Sequence, residues 1–144
     1  MISYLSEDTC PVANLFIDWN PIYDDRYDTA KGDANELHRE EDDPSLFSKL
    51  ISDAKKLQVC FLRASGLTDK DLKQICHVLK PEAGAQMNRN LKVLDLSYNK
   101  FTGEAIREFA SVFEINRSLE FVDLAKNNLT TEDVLPLMKC FGRL

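Results

Sequence analysis

Leu91-Lys-Val-Leu-Asp-Leu-Ser-Tyr-Asn-Lys-Phe101 and Leu119-Glu-Phe-Val-Asp-Leu-Ala-Lys-Asn-Asn-Leu129 carry one pattern, apolar-x-x-apolar-x-Leu-x-x-Asn-x-apolar, offset by 28 residues. Self-similarity at a fixed period of this size marks a unit of one strand and one helix that cannot bury its own apolar face. Such a unit must stack on copies of itself. The expected product is an α/β solenoid, a right-handed βα superhelix with a short parallel sheet on its concave face and helices on its convex face. A surface of that kind holds another molecule; it does not enclose a reaction.

The same spacing recurs upstream as Leu57, Cys60, Leu62, Ser65 and Leu67, with Cys and Ser replacing Leu and Asn. It recurs again as Val12, Leu15, Ile17, Asn20 and Ile22, where Pro21 removes one backbone donor. The 144 residues therefore read as one domain of four units, 12–56, 57–90, 91–118 and 119–144, behind a lead-in at 1–11. The first two units carry insertions of 17 and 6 residues relative to the last.

Residues two apart on a strand share a face. Leu94 with Leu96, and Val122 with Leu124, are expected to point into the stack, and Val93, Asp95 and Ser97 to point out of it. The Asn that ends each strand has an amide suited to backbone groups that a turn leaves without sheet partners. Asn20, Asn99 and Asn127 are expected to form a ladder of this kind, with Ser65 a weaker rung.

Helical spacing follows each turn. Leu72, Ile75, Cys76 and Leu79 form one stripe within 68–80, and Ile106, Phe109, Ala110 and Phe113 form another within 102–115. Val134, Leu137, Met138 and Phe141 continue the pattern, with Pro136 expected near the first turn. Leu46, Phe47, Leu50, Ile51 and Ala54 supply the first unit's stripe. Thr68 with Asp71, and Thr130 with Asp133, are spaced as helix caps.

These features resemble the ribonuclease-inhibitor type of leucine-rich repeat, whose units run about 28 residues through a strand, an Asn turn and an α-helix. The resemblance is strongest from residue 57 onward, in the strand motifs, Thr102-Gly-Glu-Ala-Ile-Arg-Glu-Phe-Ala110 and Ile115-Asn-Arg-Ser-Leu119. It implies a protein partner on the concave face. Relatives of this type include enzyme inhibitors, actin-capping tropomodulins, GTPase-activating proteins for Ran, innate-immune receptors and axonemal components. A scaffold or adaptor is the reading adopted; a regulator of an enzyme such as a small GTPase, or a structural part of a cytoskeletal or ciliary assembly, stands as its alternative.

The outward positions nominate the partner-binding residues. Phe16, Phe61, Asp95 and Asp123 share a central row; Val93 and Phe121 lie on one side of it, and Asp18 and Arg63 on the other. Trp19 and Tyr98 sit just past their strands. Clustered exposed aromatics are expected to be a hot spot for a partner with an apolar patch beside basic residues. A competing reading is that the N-terminal segment or the insertion at 23–45 folds back and covers some of them.

Residues 23–45 depart from the repeat. They hold nine acidic and three basic residues, so the chain's net charge of −6 sits entirely in this segment. Its run Glu40-Glu41-Asp42-Asp43 lacks an apolar face and reads either as a solvated surface insertion or as an acidic arm for a basic partner. Acidity of this sign, without a basic stripe elsewhere, speaks against nucleic acid.

Chemistry of other kinds finds little support. His38 and His77 lie in different units, no Ser or Cys is placed to pair with either, and neither a Gly-rich phosphate loop nor a metal-ligand spacing occurs. No enzyme activity, cofactor or metal is expected. Four cysteines without a close pair point to a reducing, intracellular compartment. No secretory signal or membrane-spanning run is evident. The sequons at Asn116 and Asn128 are read as products of the repeat. Leu144 falls just before a fifth strand would begin, so further repeats or a partner are expected to cover that end.

Overall fold

The computed structural model describes residues 12–20, 46–80 and 88–141. Among them, β1 (Asn14–Phe16), β2 (Val59–Phe61), β3 (Val93–Asp95) and β4 (Phe121–Asp123) alternate with α1 (Leu46–Asp53), α2 (Asp69–Leu79), α3 (Gly103–Ile115) and α4 (Thr131–Phe141). The strands form one parallel sheet in chain order. Each helix packs against the next, and the core lies between the two layers.

Register follows the repeat. Asn14, Val59, Val93 and Phe121 align across the sheet, as do Leu15, Cys60, Leu94 and Val122, and then Phe16, Phe61, Asp95 and Asp123. Cys60, Leu62, Leu94 and Leu96 are fully buried. They meet Ile51, Leu72, Ile75, Ile106 and Phe109 from the helix stripes. The acidic segment 23–45 lies outside the described residues.

The turn asparagines bind one unit to the next. Asn99 Oδ1 accepts the backbone N–H groups of Ser65 at 3.1 Å and Leu67 at 3.0 Å. Its Nδ2 donates to the carbonyls of Leu62, Leu96 and Ser97. Asn127 repeats the arrangement one unit on, accepting from Phe101 N and donating to Leu96 O and Leu124 O. Ser65, with one donor, reaches only Ile17 O at 3.2 Å. Asn20 departs from the expected ladder: its amide is exposed and donates to Asp18 O two residues back. A ladder asparagine serves the turn before it, and the described chain places no earlier turn beside Asn20.

A second pair of asparagines, 28 residues apart, works at the opposite end of the strands. Asn88 donates to Ile51 O at the end of α1 and accepts from Asn90 N and Leu91 N. Asn116 donates to Leu79 O at the end of α2 and accepts from Ser118 N and Leu119 N. Each satisfies a helix carbonyl that has lost its intrahelical partner and steers the chain into the next strand. With Asn116 2% exposed and both amide atoms engaged, its sequon is structural.

Helix starts follow two schemes. Asp71 accepts from both Thr68 N and Thr68 Oγ1 at 3.0 Å, and Asp133 does the same for Thr130 at 2.9 and 2.7 Å. At α3 the third residue is Ala105, which has no acceptor. There Asp69 of the preceding helix takes Thr102 N at 2.8 Å and Thr102 Oγ1 as well. Gly103 at the first position of α3 lets the Asp133 carboxylate approach closely; a Cβ there would require that side chain to shift. Pro136 lies inside α4, past the first turn where it was expected, and removes one intrahelical donor.

Asn99→Ala is expected to cost about 3 kcal/mol, because it strands buried backbone groups of two units. Asn20→Ala is expected to cost less than about 0.5 kcal/mol, as for an exposed side chain with one local bond. Denaturant midpoints at unchanged slope check this; equal losses at the two positions would show that the amide acts only within its own turn.

Candidate protein-binding surface

The outward strand positions form the candidate surface, and the sheet register sets their spacing. Adjacent strands stand about 4.8 Å apart, so side chains in one row are close neighbours. Phe16 and Phe61 make an edge-to-face pair with centroids 4.8 Å apart. Phe16 is 60% exposed and Phe121 56% exposed, against the usual tendency of such side chains to be covered.

The residue before each ladder position adopts a left-handed backbone: Trp19, Ala64, Tyr98 and Lys126 have φ of 59°, 53°, 57° and 58°. Such a conformation costs a non-glycine residue roughly 1–2 kcal/mol. It is held by sheet-like bonds to the next unit, in which Trp19 N donates to Arg63 O, Ala64 N to Ser97 O and Tyr98 N to Ala125 O. The same turn throws the side chain onto the rim of the strand face.

Trp19 and Tyr98 come from turns two strands apart, a separation of about 10 Å. Their rings nevertheless lie 5.7 Å apart, leaning together over the small Ala64. Arg63 fills the gap beneath them, with its guanidinium carbon 4.5 Å from the Tyr98 centroid and 5.4 Å from that of Trp19. Cation–π contact of this kind contributes about 0.5–2 kcal/mol.

The acidic members behave differently from one another. Asp18 Oδ1 accepts the backbone N–H of Arg63 at 3.2 Å. Asp95 and Asp123 each accept the N–H two residues on, from Ser97 at 2.9 Å and Ala125 at 2.8 Å. Asp95 is only 9% exposed and Ser97 only 2%, so these two expected outward residues are largely shielded, whereas Asp123 is half-buried. The residues brought together are thus Phe16 with Phe61, and Trp19 with Arg63 and Tyr98. Val93 is a half-buried neighbour, and Phe121 and Asp123 stand apart at the β4 end. Glu40, Glu41, Asp42 and Asp43 lie outside the described residues. Lys126 was not among the nominated residues, although its place in the left-handed row aligns it with Trp19 and Tyr98.

Two segments, 88–110 and 116–138, match the leucine rich repeat family model. The fold is a leucine-rich repeat solenoid. Both matched segments open on an asparagine of the second pair, Asn88 or Asn116, and run through the strand, the ladder Asn and the helix. Leucine-rich repeats generally mediate protein–protein interaction. No curated protein matches the chain significantly. Among the described residues no helix is long and apolar enough to cross a membrane, and no group of three His, Cys, Asp or Glu residues is placed to hold a metal ion.

Cysteine chemistry is suppressed in the core. Burial, reinforced by the nearby Asp18 charge, pushes the Cys60 thiol up to about 12, and burial does the same for Cys76, with Glu108 adding to it. Both folded values lie above the ordinary 9.0. The stability these thiols contribute is full below about pH 9 and is lost as pH rises through about 12. At pH 8 an aromatic disulfide reagent is expected to leave both unreacted in the native chain. Cys60→Ser and Cys76→Ser should therefore leave the native thiol count unchanged and lower the count only after unfolding.

Proposed function

We propose that the chain is a non-catalytic scaffold that binds a protein partner on its strand face. The observation that carries this reading is the aromatic cluster itself. Phe16, Phe61, Trp19 and Tyr98 form two ring pairs on a continuous surface built from three strands, and Phe16 and Trp19 each remain about 60% exposed. Large side chains fixed by strands, as Phe16 and Phe61 are, or by left-handed turns, as Trp19 and Tyr98 are, bind with little further loss of conformational freedom, which is the character of a hot spot.

The acidic run Glu40 to Asp43 serves in this proposal as an arm that steers a partner carrying basic groups, supported by its concentration of the chain's net charge. The β4 end is a second contact, against which the next unit of a longer stack would lie. Leu135 and Met138 are 47% and 64% exposed there, and Val122, Leu124 and Leu129 are only half covered, whereas their equivalents Leu94, Leu96 and Phe101 are fully buried. The α-helical units of 28 residues support the ribonuclease-inhibitor type, and free Cys60, Cys76 and Cys140 support a reducing, intracellular setting.

Affinity purification from native extract tests the strand face, comparing the intact chain with a Phe16→Ala, Trp19→Ala variant and a Leu135→Ser variant. Proteins recovered with the intact chain and with Leu135→Ser are expected to fall about tenfold or more with the double variant. Undiminished recovery by a double variant that melts normally would remove the strand face as the binding site.

A further inference from the structure

Arg63 is the cation of the aromatic cluster, and its surroundings specify what it takes. The guanidinium lies against two rings that converge on it, Tyr98 and Trp19. Its Nε is buried and has no hydrogen-bond partner. Among the described residues no carboxylate is ion-paired with the guanidinium; Asp18 is engaged instead with the Arg63 backbone N–H. Without a carboxylate partner, the guanidinium leaves charge-assisted hydrogen bonds unmade in the free protein. A guanidinium that packs against rings still has its in-plane N–H fork for an acceptor, and the group that matches this fork is a planar carboxylate bound through two parallel hydrogen bonds.

Resting on the strand-face reading, the geometry points to an acidic side chain of the protein partner as the group that Arg63 receives, seated beside an apolar residue that covers Phe16 and Phe61. A carboxylate fits better than a phosphate here. Arg63 is the one basic residue on the central strand rows of this face, and Asp18 and Asp95 belong to the units on either side of it, so that a dianion is repelled more strongly than a single carboxylate. Asp123 lies two strands beyond Arg63, about 10 Å away. It takes a basic group of the same segment, so the partner carries an acid and a base about three extended residues apart, with apolar residues between them.

Trp19 is the chain's single tryptophan and stacks on Arg63, so its fluorescence reports the site directly. The probe is an amidated peptide with a glutamate, two leucines and a lysine in succession, titrated into the full chain alongside a glutamine-for-glutamate counterpart and a lysine-for-glutamate counterpart. The glutamate peptide is expected to bind about tenfold more tightly than either counterpart, and Arg63→Lys, which keeps the charge but loses the planar fork, is expected to erase that preference. Equal binding of all three peptides, weakened alike by Phe16→Ala, would overturn the carboxylate while leaving the strand face as a docking surface. No perturbation of Trp19 by any of them would overturn both. A further variant of the full chain, with Glu40 and Glu41 changed to Gln and Asp42 and Asp43 to Asn, identifies the occupant. Unchanged peptide affinity supports a separate partner, and a clear gain would assign the carboxylate to the chain's own acidic segment and overturn the partner.

Discussion

The Asn99 amide is the contact on which the rest of the molecule depends. A tight turn after a three-residue strand leaves backbone donors and acceptors that neither the sheet nor a helix can satisfy. In a stack of such turns these groups are buried by the neighbouring unit. A single planar amide, with two acceptor lone pairs and two donors, closes the deficit of two units at once. Asn99 does so for Ser65 and Leu67 on one side and for Leu96 and Ser97 on its own. Because the same atoms join adjacent units, stability in this fold resides in interfaces between units more than within any one of them.

The form of the strand face follows from that constraint. Sheet-like bonds to the next unit hold the residue before each ladder position left-handed, and that conformation sends Trp19 and Tyr98 onto the rim. Ala64 between them is small, so the rings can close over Arg63. An aromatic at position 64 would separate Trp19 from Tyr98. The surface is therefore a product of size alternation along one row of turns, supported by a hydrogen-bond ladder several ångströms behind it.

Much of the architecture was legible in the spacing. The ladder positions at Asn99 and Asn127, the helix stripes and the caps pairing Thr68 with Asp71 and Thr130 with Asp133 are local or strictly periodic features. They appear as fixed intervals within one stretch of chain. Other features were not legible because they join residues of different units without a repeated spacing. Asp69 caps the helix that follows Thr102, 33 residues away, only because Ala105 cannot. Asn88 and Asn116 share the 28-residue interval, yet their work at helix ends becomes evident only when the carbonyls of Ile51 and Leu79 are placed beside them. Asp95 reads as an outward strand residue and is one, but flanking strands and its bond to Ser97 N cover it, so its outward direction does not make it accessible. Asn20 has the ladder residue type, but among the described residues there is no preceding turn for it to serve, and Pro136 falls deeper in its helix than the spacing suggested.

The sequence by itself determined the period, the alternation of strand and helix, and the inward and outward rows. Each depends on intervals along one chain, and period-two and period-3.6 patterns convert such intervals into faces. Tertiary structure alone decided which outward residues act together. Trp19, Arg63 and Tyr98 come from three different units, and their stacking depends on the distance between strands, the left-handed turns and the small side chain between the rings. Those are properties of the assembled stack, because no segment of the chain holds two of its turns side by side until the interfaces form.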